Sequence, residues 1–137
     1  MHAAKQKTSA TPSGHLRSET GFPSPATDHL EPELDLHQHV VKHPSATFFI
    51  RVSSDRYRLL GIEQRDLLVV DRSLAPKKGS LVVCILDGAR EVCKIERAGN
   101  GWVLLRGDGA RIQYCADMVQ EPIEIWGVVS HTIRQMP

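Results

Sequence analysis

The sequence predicts a mostly β domain of short, strongly twisted strands and hairpins, preceded by a flexible N-terminal arm. Three observations lead there. From Pro44 onward, runs rich in Val, Ile, Leu and Phe recur at short intervals with turn residues between them, a strand pattern and not an amphipathic helical one. Two of those intervals hold Asp87-Gly88 and Asn100-Gly101, dipeptides that tolerate the positive backbone angles of tight hairpin turns. Residues 1–24, by contrast, are rich in Ser, Thr, Pro, Gly, Lys and His and nearly free of large apolar side chains. They bury too little surface to offset the entropy of ordering.

Taken in order, residues 1–24 are expected to form the flexible arm, 25–43 a transitional arm, and 44–137 the β domain. Within the transitional stretch Asp35 is placed to cap a short helical turn running through Val40 and Val41, and Pro44 disfavours its continuation. Strands are expected at 46–52, 67–70, 81–86, 91–96, 102–105 and 123–132. The two dipeptide turns join the third, fourth and fifth into a meander. If Asp87-Gly88 is a two-residue loop, Cys84 faces Glu91 and Cys93 faces Val82, so the two thiols are not a directly opposed pair and no disulfide is expected between them. Trp126-Gly127-Val128-Val129 reads as an edge strand suited to burial in a dimer.

Composition limits the function classes. The 137 residues carry 17 Lys+Arg against 16 Asp+Glu, with no block of like charge, so no direct nucleic-acid site is evident. No apolar run reaches the ~20 residues of a membrane span, and the N-terminus lacks the apolar centre of a signal peptide, so a cytoplasmic protein is expected. Three cysteines, Cys84, Cys93 and Cys115, without C-x-x-C spacing read as reduced, buried thiols. His37, His39 and His43 form the single metal-like spacing, but no Cys or carboxylate pattern of known type accompanies them, and no metal is expected. Glu31, Glu33 and Asp35 read as a solvated acidic face. Gly107-Asp108-Gly109 is a turn and no nucleotide loop, so no cofactor is expected.

Several collinear blocks carry a resemblance: Gly21-Phe22-Pro23-Ser24-Pro25-Ala26, His43-Pro44-Ser45-Ala46-Thr47-Phe48-Phe49, Asp66-Leu67-Leu68-Val69-Val70-Asp71 and Trp126-Gly127-Val128-Val129-Ser130-His131. From Gly21 to Met136 the chain resembles the UmuD proteins, self-cleaving accessory subunits of the error-prone DNA polymerase V. More distantly it is similar to the C-terminal domain of LexA-type repressors. The resemblance implies a LexA/UmuD C-terminal-like fold and a dimer that cuts its own arm when it meets a RecA filament. It also implies a role beside a UmuC-like Y-family polymerase in translesion synthesis during the SOS response to DNA damage.

That family cuts with a serine nucleophile in a Ser-Gly-Asp-Ser-Met segment and a lysine base in a Val-Lys-Lys/Arg-Leu strand. A serine hydroxyl attacks only when a base takes its proton, and a lysine does so only when its pKa is lowered. Aligned on Ser53-Ser54-Asp55-Arg56-Tyr57 and Glu91-Val92-Cys93-Lys94-Ile95, the nucleophile position falls on Arg56 and the base position on Cys93. Arginine has no hydroxyl and stays protonated, so Arg56 is neither nucleophile nor base. The bond equivalent to the cleavage site is Thr20-Gly21, where relatives carry Ala or Cys before the glycine.

The expectation is therefore a pseudo-peptidase: a UmuD-like interaction subunit unable to cleave itself, acting as a homodimer or as a heterodimer with an active UmuD-like protein. The alternative is an active RecA-stimulated peptidase cutting Thr20-Gly21 through Ser54 and Lys94, or through Cys93, in rearranged geometry. Lys94 follows Cys93 and should face away from the cleft unless a bulge realigns it. A LexA-type repressor would need a DNA-binding module ahead of Pro44, and the stretch there is polar and broken by prolines.

Overall fold

A computed structural model describes residues 33–99, 101–114 and 123–137. The chain divides after Asp35, and the unit Leu36–Pro137 carries every element described below. A five-residue helix, α1, spans Leu36–Val40, and Val41 N–H extends it by donating to the His37 carbonyl at 2.9 Å. Pro44–Ala46 forms a single 3-10 turn, opened by proline because its missing N–H has no helical partner to lose there. The helix thus ends before Pro44, as the sequence suggests.

Seven strands follow: β1 (Thr47–Arg51), β2 (Leu67–Asp71), β3 (Leu81–Leu86), β4 (Ala89–Ala98), β5 (Gly101–Arg106), β6 (Arg111–Tyr114) and β7 (Glu124–Ile133). They form one antiparallel sheet in the order β1-β2-β7-β3-β4-β5-β6. The strands β3 to β6 are a meander, and β7 returns to fill the gap between β2 and β3. All six expected strands are present within one or two residues. The seventh, β6, was not expected, since Arg111-Ile112-Gln113-Tyr114 offers just two apolar side chains and falls below the strand signal.

Two readings of the sequence need correction. The β4–β5 loop is not Asn100-Gly101: Ala98 pairs with Gly101, which begins β5, and the loop is shifted back by one so that Gly99 takes the positive φ of 61°. Asn100 lies outside the described residues. Trp126–Val129 is not an edge either. It belongs to β7, an interior strand, whose backbone pairs on both sides within the chain. The edges are β1 and β6.

The Asp87-Gly88 hairpin forms as read, with Leu86 paired to Ala89 and φ of 51° and 81° at the two loop residues, the positive pair of a type I′ turn. Register shifts in β7 fall opposite Val69/Val70 and Val83/Cys84. Such bulges free backbone groups from the ladder. The Trp126 carbonyl accordingly accepts Arg72 Nε at 2.7 Å, and that guanidinium lies 4.4 Å from the indole ring.

Strand alternation sorts the core into clusters. Val82, Cys84, Leu86, Cys93, Ile95, Leu104 and Val128 pack together, while Val83, Val92, Val70 and Leu68 pack with Val52, Tyr57 and Ile62 from the loops after β1. Val40 and Val41 of the helix segment cover Val69. Among the described residues no helix is long and apolar enough to cross a membrane.

Candidate functional site

Position 56 sits on a loop and position 93 in the middle of a strand, so different forces hold them. The loop after β1 is fixed at three points. Arg56 N–H donates to Ser54 Oγ at 3.1 Å, Tyr57 is buried in the core, and the loop backbone rests on the β5–β6 turn at Gly107. A Cβ at 107 would stand 2.4 Å from the Arg56 carbonyl oxygen and 3.0 Å from the Tyr57 ring, so this approach requires glycine. The Arg56 side chain is 58% exposed; its guanidinium lies 5.6 Å from the Tyr57 ring centroid, and Nη2 is 3.7 Å from Glu91 Oε2.

Cys93 is fully buried in β4, opposite Val82 on β3 and Arg106 on β5. Glu91 precedes it by two residues and therefore shares its face of the sheet. The register places Glu91 opposite Cys84, as read from the hairpin, which makes Cys84 and Cys93 diagonal neighbours. Both thiols are free. The interaction between the two thiols, followed by burial, pushes the Cys84 pKa up, and the same interaction pulls Cys93 down against its own burial.

Arg106 completes the group. Its Nη2 donates to both Glu91 oxygens at 3.0 Å, and the bond to Glu91 raises its pKa. Its Nε is buried without a partner among the described residues. Glu91 is thus held between two arginines, with its side chain 12% exposed. The charged groups acting on position 93 are Glu91, Arg106 and Asp108.

Of the residues singled out from sequence, Arg56 and the strand carrying Cys93 are brought together through Glu91. Lys94 is not part of that group. It pairs with Leu81 and Leu105 in an unbroken β3–β4 register and shares a face with Val92, opposite to Cys93. Ser54 turns its hydroxyl to the Arg56 backbone. The Thr20-Gly21 bond and Cys115 lie outside the described residues. In the histidine cluster, His43 Nδ1 contacts Asp71 Oδ2 at 2.6 Å and the His39 ring lies 6.1 Å from that of His131. Among the described residues no three His, Cys, Asp or Glu side chains converge as metal ligands.

Sequence reasoning missed Arg106, and the reason is the one-residue slip of the turn. With Asn100-Gly101 as the loop, Cys93 would face Asp108; in the actual register it faces Arg106. A shift of one residue in a loop moves the partner by two and here reverses its charge. The signal that could have found the right register is Gly99, which also tolerates positive φ.

The geometry can be set beside known proteins. A family model described as Peptidase S24-like matches residues 14–130. Protein MucA of Salmonella typhimurium is 38% identical over 121 residues, covering 88% of this chain and 82% of the relative. Protein ImpA of Shigella flexneri is 38% identical over 119 residues, 87% of this chain and 80% of the relative. A LexA repressor of Pectobacterium carotovorum is 30% identical over 118 residues, 86% of this chain and 58% of the relative.

Proposed function

The chain belongs to the Peptidase S24-like family, and from that premise we propose that it is a UmuD-like accessory or regulatory subunit of the SOS response that does not cleave itself. It acts in the cytoplasm, as a homodimer or paired with an active UmuD-like protein. In that role it binds a UmuC-like Y-family translesion polymerase and needs no cofactor. Partner binding and dimerisation use surfaces, not catalysis, and a chain that has exchanged its nucleophile and base keeps them.

One observation carries the non-cleaving reading. Arg56 and Cys93 stand where the family's serine and lysine are expected, and Glu91 ties Arg56 to the strand that holds Cys93. A protonated guanidinium has neither a hydroxyl to attack a carbonyl nor a lone pair to take a proton. The alternative through Ser54 and Lys94 would need the Ser54 hydroxyl to leave the Arg56 N–H and Lys94 to cross to the other face of β4.

The test is intact mass after incubation with an activated RecA filament, and separately at pH ~10 where a lysine base is deprotonated, with an active relative cleaving alongside. An unchanged mass is expected. A fragment beginning at Gly21 would overturn the reading in favour of an active peptidase. Co-purification with a UmuC-like polymerase tests the partner, and failure to bind in both the uncut and an arm-truncated form would remove it.

A further inference from the structure

A serine at 56 and a lysine at 93 would still leave Glu91 two residues before the base position on the same strand. We infer that Glu91, held by Arg106, is a third determinant of the silent cleft: a carboxylate positioned to keep any amine at position 93 protonated. The inference rests on the proposed reading that positions 56 and 93 are the nucleophile and base positions.

Glu91 and position 93 are alternate residues of one strand with no bulge in the β3–β4 register, so their side chains leave the same face side by side. Arg106 lies directly across from 93, and its Nη2 holds both Glu91 oxygens at 3.0 Å, so the carboxylate stays beside that position. The other groups facing position 93 are the Cys84 thiol from β3 and Asp108 from the β5–β6 turn, with Arg56 reaching Glu91 from the loop after β1. An opposite charge within ~4–6 Å favours the charged form and moves a pKa by about 1–3 units. For lysine that direction is upward, away from the neutral amine the reaction needs. Removing the carboxylate leaves Arg106 and burial, which push a lysine downward, against Asp108, which pushes it upward.

The chemistry at stake is the family's acyl transfer. The lysine amine takes the serine proton as Oγ bonds to the Thr20 carbonyl carbon. The Thr20–Gly21 C–N bond then breaks, the Gly21 amine leaves with that proton, and water hydrolyses the ester. Taking the proton from serine, and later from water, draws on the lysine in its neutral form.

The experiment compares the wild type, Arg56→Ser/Cys93→Lys, and the same pair with Glu91→Gln, all as full chains, by intact mass from pH 7 to 10 with and without a RecA filament. Gln keeps a carbonyl acceptor for Arg106, and circular dichroism confirms that each variant is folded. The expected result is cutting of the double variant confined to the alkaline end. The triple variant should cut with its pH midpoint about 1–3 units lower and, at neutral pH, roughly tenfold faster or more. Superimposable pH profiles of the two variants would overturn the role of Glu91 while leaving the dyad reading intact. Folded variants that cut at no pH would overturn the inference as well. Cutting by the wild type would instead remove the reading on which the inference rests.

Discussion

Asp66 and Glu91 are both carboxylates held by arginine, yet they are held in different ways. Asp66 is fully buried, and Arg134 meets it as a two-pronged fork: Nε to Oδ1 at 2.8 Å and Nη2 to Oδ2 at 2.7 Å. The Glu63 N–H donates to the same carboxylate at 2.8 Å, and Arg134 spends a further donor on the Gly61 carbonyl. Glu91 receives a single nitrogen of Arg106 on both oxygens, leaves the Arg106 Nε without a partner among the described residues, and has a second guanidinium 3.7 Å away. The first site satisfies its lone pairs with matched geometry and joins the last residues of the chain to the loop before β2. The second leaves a buried donor unpaired, which costs on the order of 1–3 kcal/mol. That difference marks Asp66 as a structural clasp. Glu91 is the less completely satisfied of the two.

Stability measurements separate the two carboxylates. Asp66→Asn replaces a charge-assisted fork by a neutral amide and should lower stability by about 2–3 kcal/mol, read as a fall in Tm of roughly 10 °C for a domain near 100 residues. A loss smaller than that of Glu91→Gln would reverse the ranking of the two sites. The same site predicts acid sensitivity. The Arg134 hydrogen bond holds the Asp66 carboxyl below its ordinary value of 3.8 against the cost of burial, and the Ser73 and His43 hydrogen bonds do so for Asp71, where burial is the largest opposing cause. Depressed folded pKa values contribute stability that is fully present above the ordinary value and is lost as pH falls through the folded value. The contribution of these two carboxylates to Tm should therefore be level from neutral pH to about 5 and drop below about 4, with a shallower drop in Asp66→Asn.

Gly107→Ala comes next. Its Cβ would meet the Arg56 backbone at 2.4 Å, so the loop and the β5–β6 turn must part. Overpacking of this kind costs about 1–3 kcal/mol, and a chemical-denaturation midpoint equal to wild type would show that the two segments are not held together. Glu91→Gln should cost about 1 kcal/mol, since a neutral acceptor still serves Arg106. The smallest effect belongs to Arg56→Ala. Its side chain is 58% exposed and its ion pair is long, so stability should stay within about 0.5 kcal/mol of wild type. A larger loss would make Arg56 part of the structural framework.

Where local chemistry decides, the fold was legible. Asp87-Gly88 announces a type I′ hairpin because few side chains accept two successive positive φ angles, and the Cys84–Glu91 register follows from that loop length alone. The neighbouring turn misled, because Gly99, Asn100 and Gly101 offer two overlapping solutions and local preference does not choose between them. In the register that forms, Leu104 lies opposite Ile95 and packs with it and with Cys93. The β6 strand was invisible for a related reason, since a four-residue edge segment gains its order from its ladder with β5 and carries little burial of its own.

The candidate site divides the same way. Alignment of the chain named Arg56 and Cys93, and strand alternation sent Lys94 to the other face, because the period of two is a local property of extended backbone. Nothing local named Arg106 or Gly107, or the meeting of Asp66 with Arg134, 68 residues apart. By itself the sequence determined six of the seven strands, the Asp87-Gly88 turn and the residue types at positions 56 and 93, all matters of side-chain chemistry and short-range sterics. The insertion of β7 between β2 and β3, the placing of Arg106 across from Cys93 and the seating of the Arg56 loop on Gly107 were decided only in the tertiary structure. Each depends on burying apolar faces and pairing charges contributed by segments far apart in the chain, and no single segment carries that information.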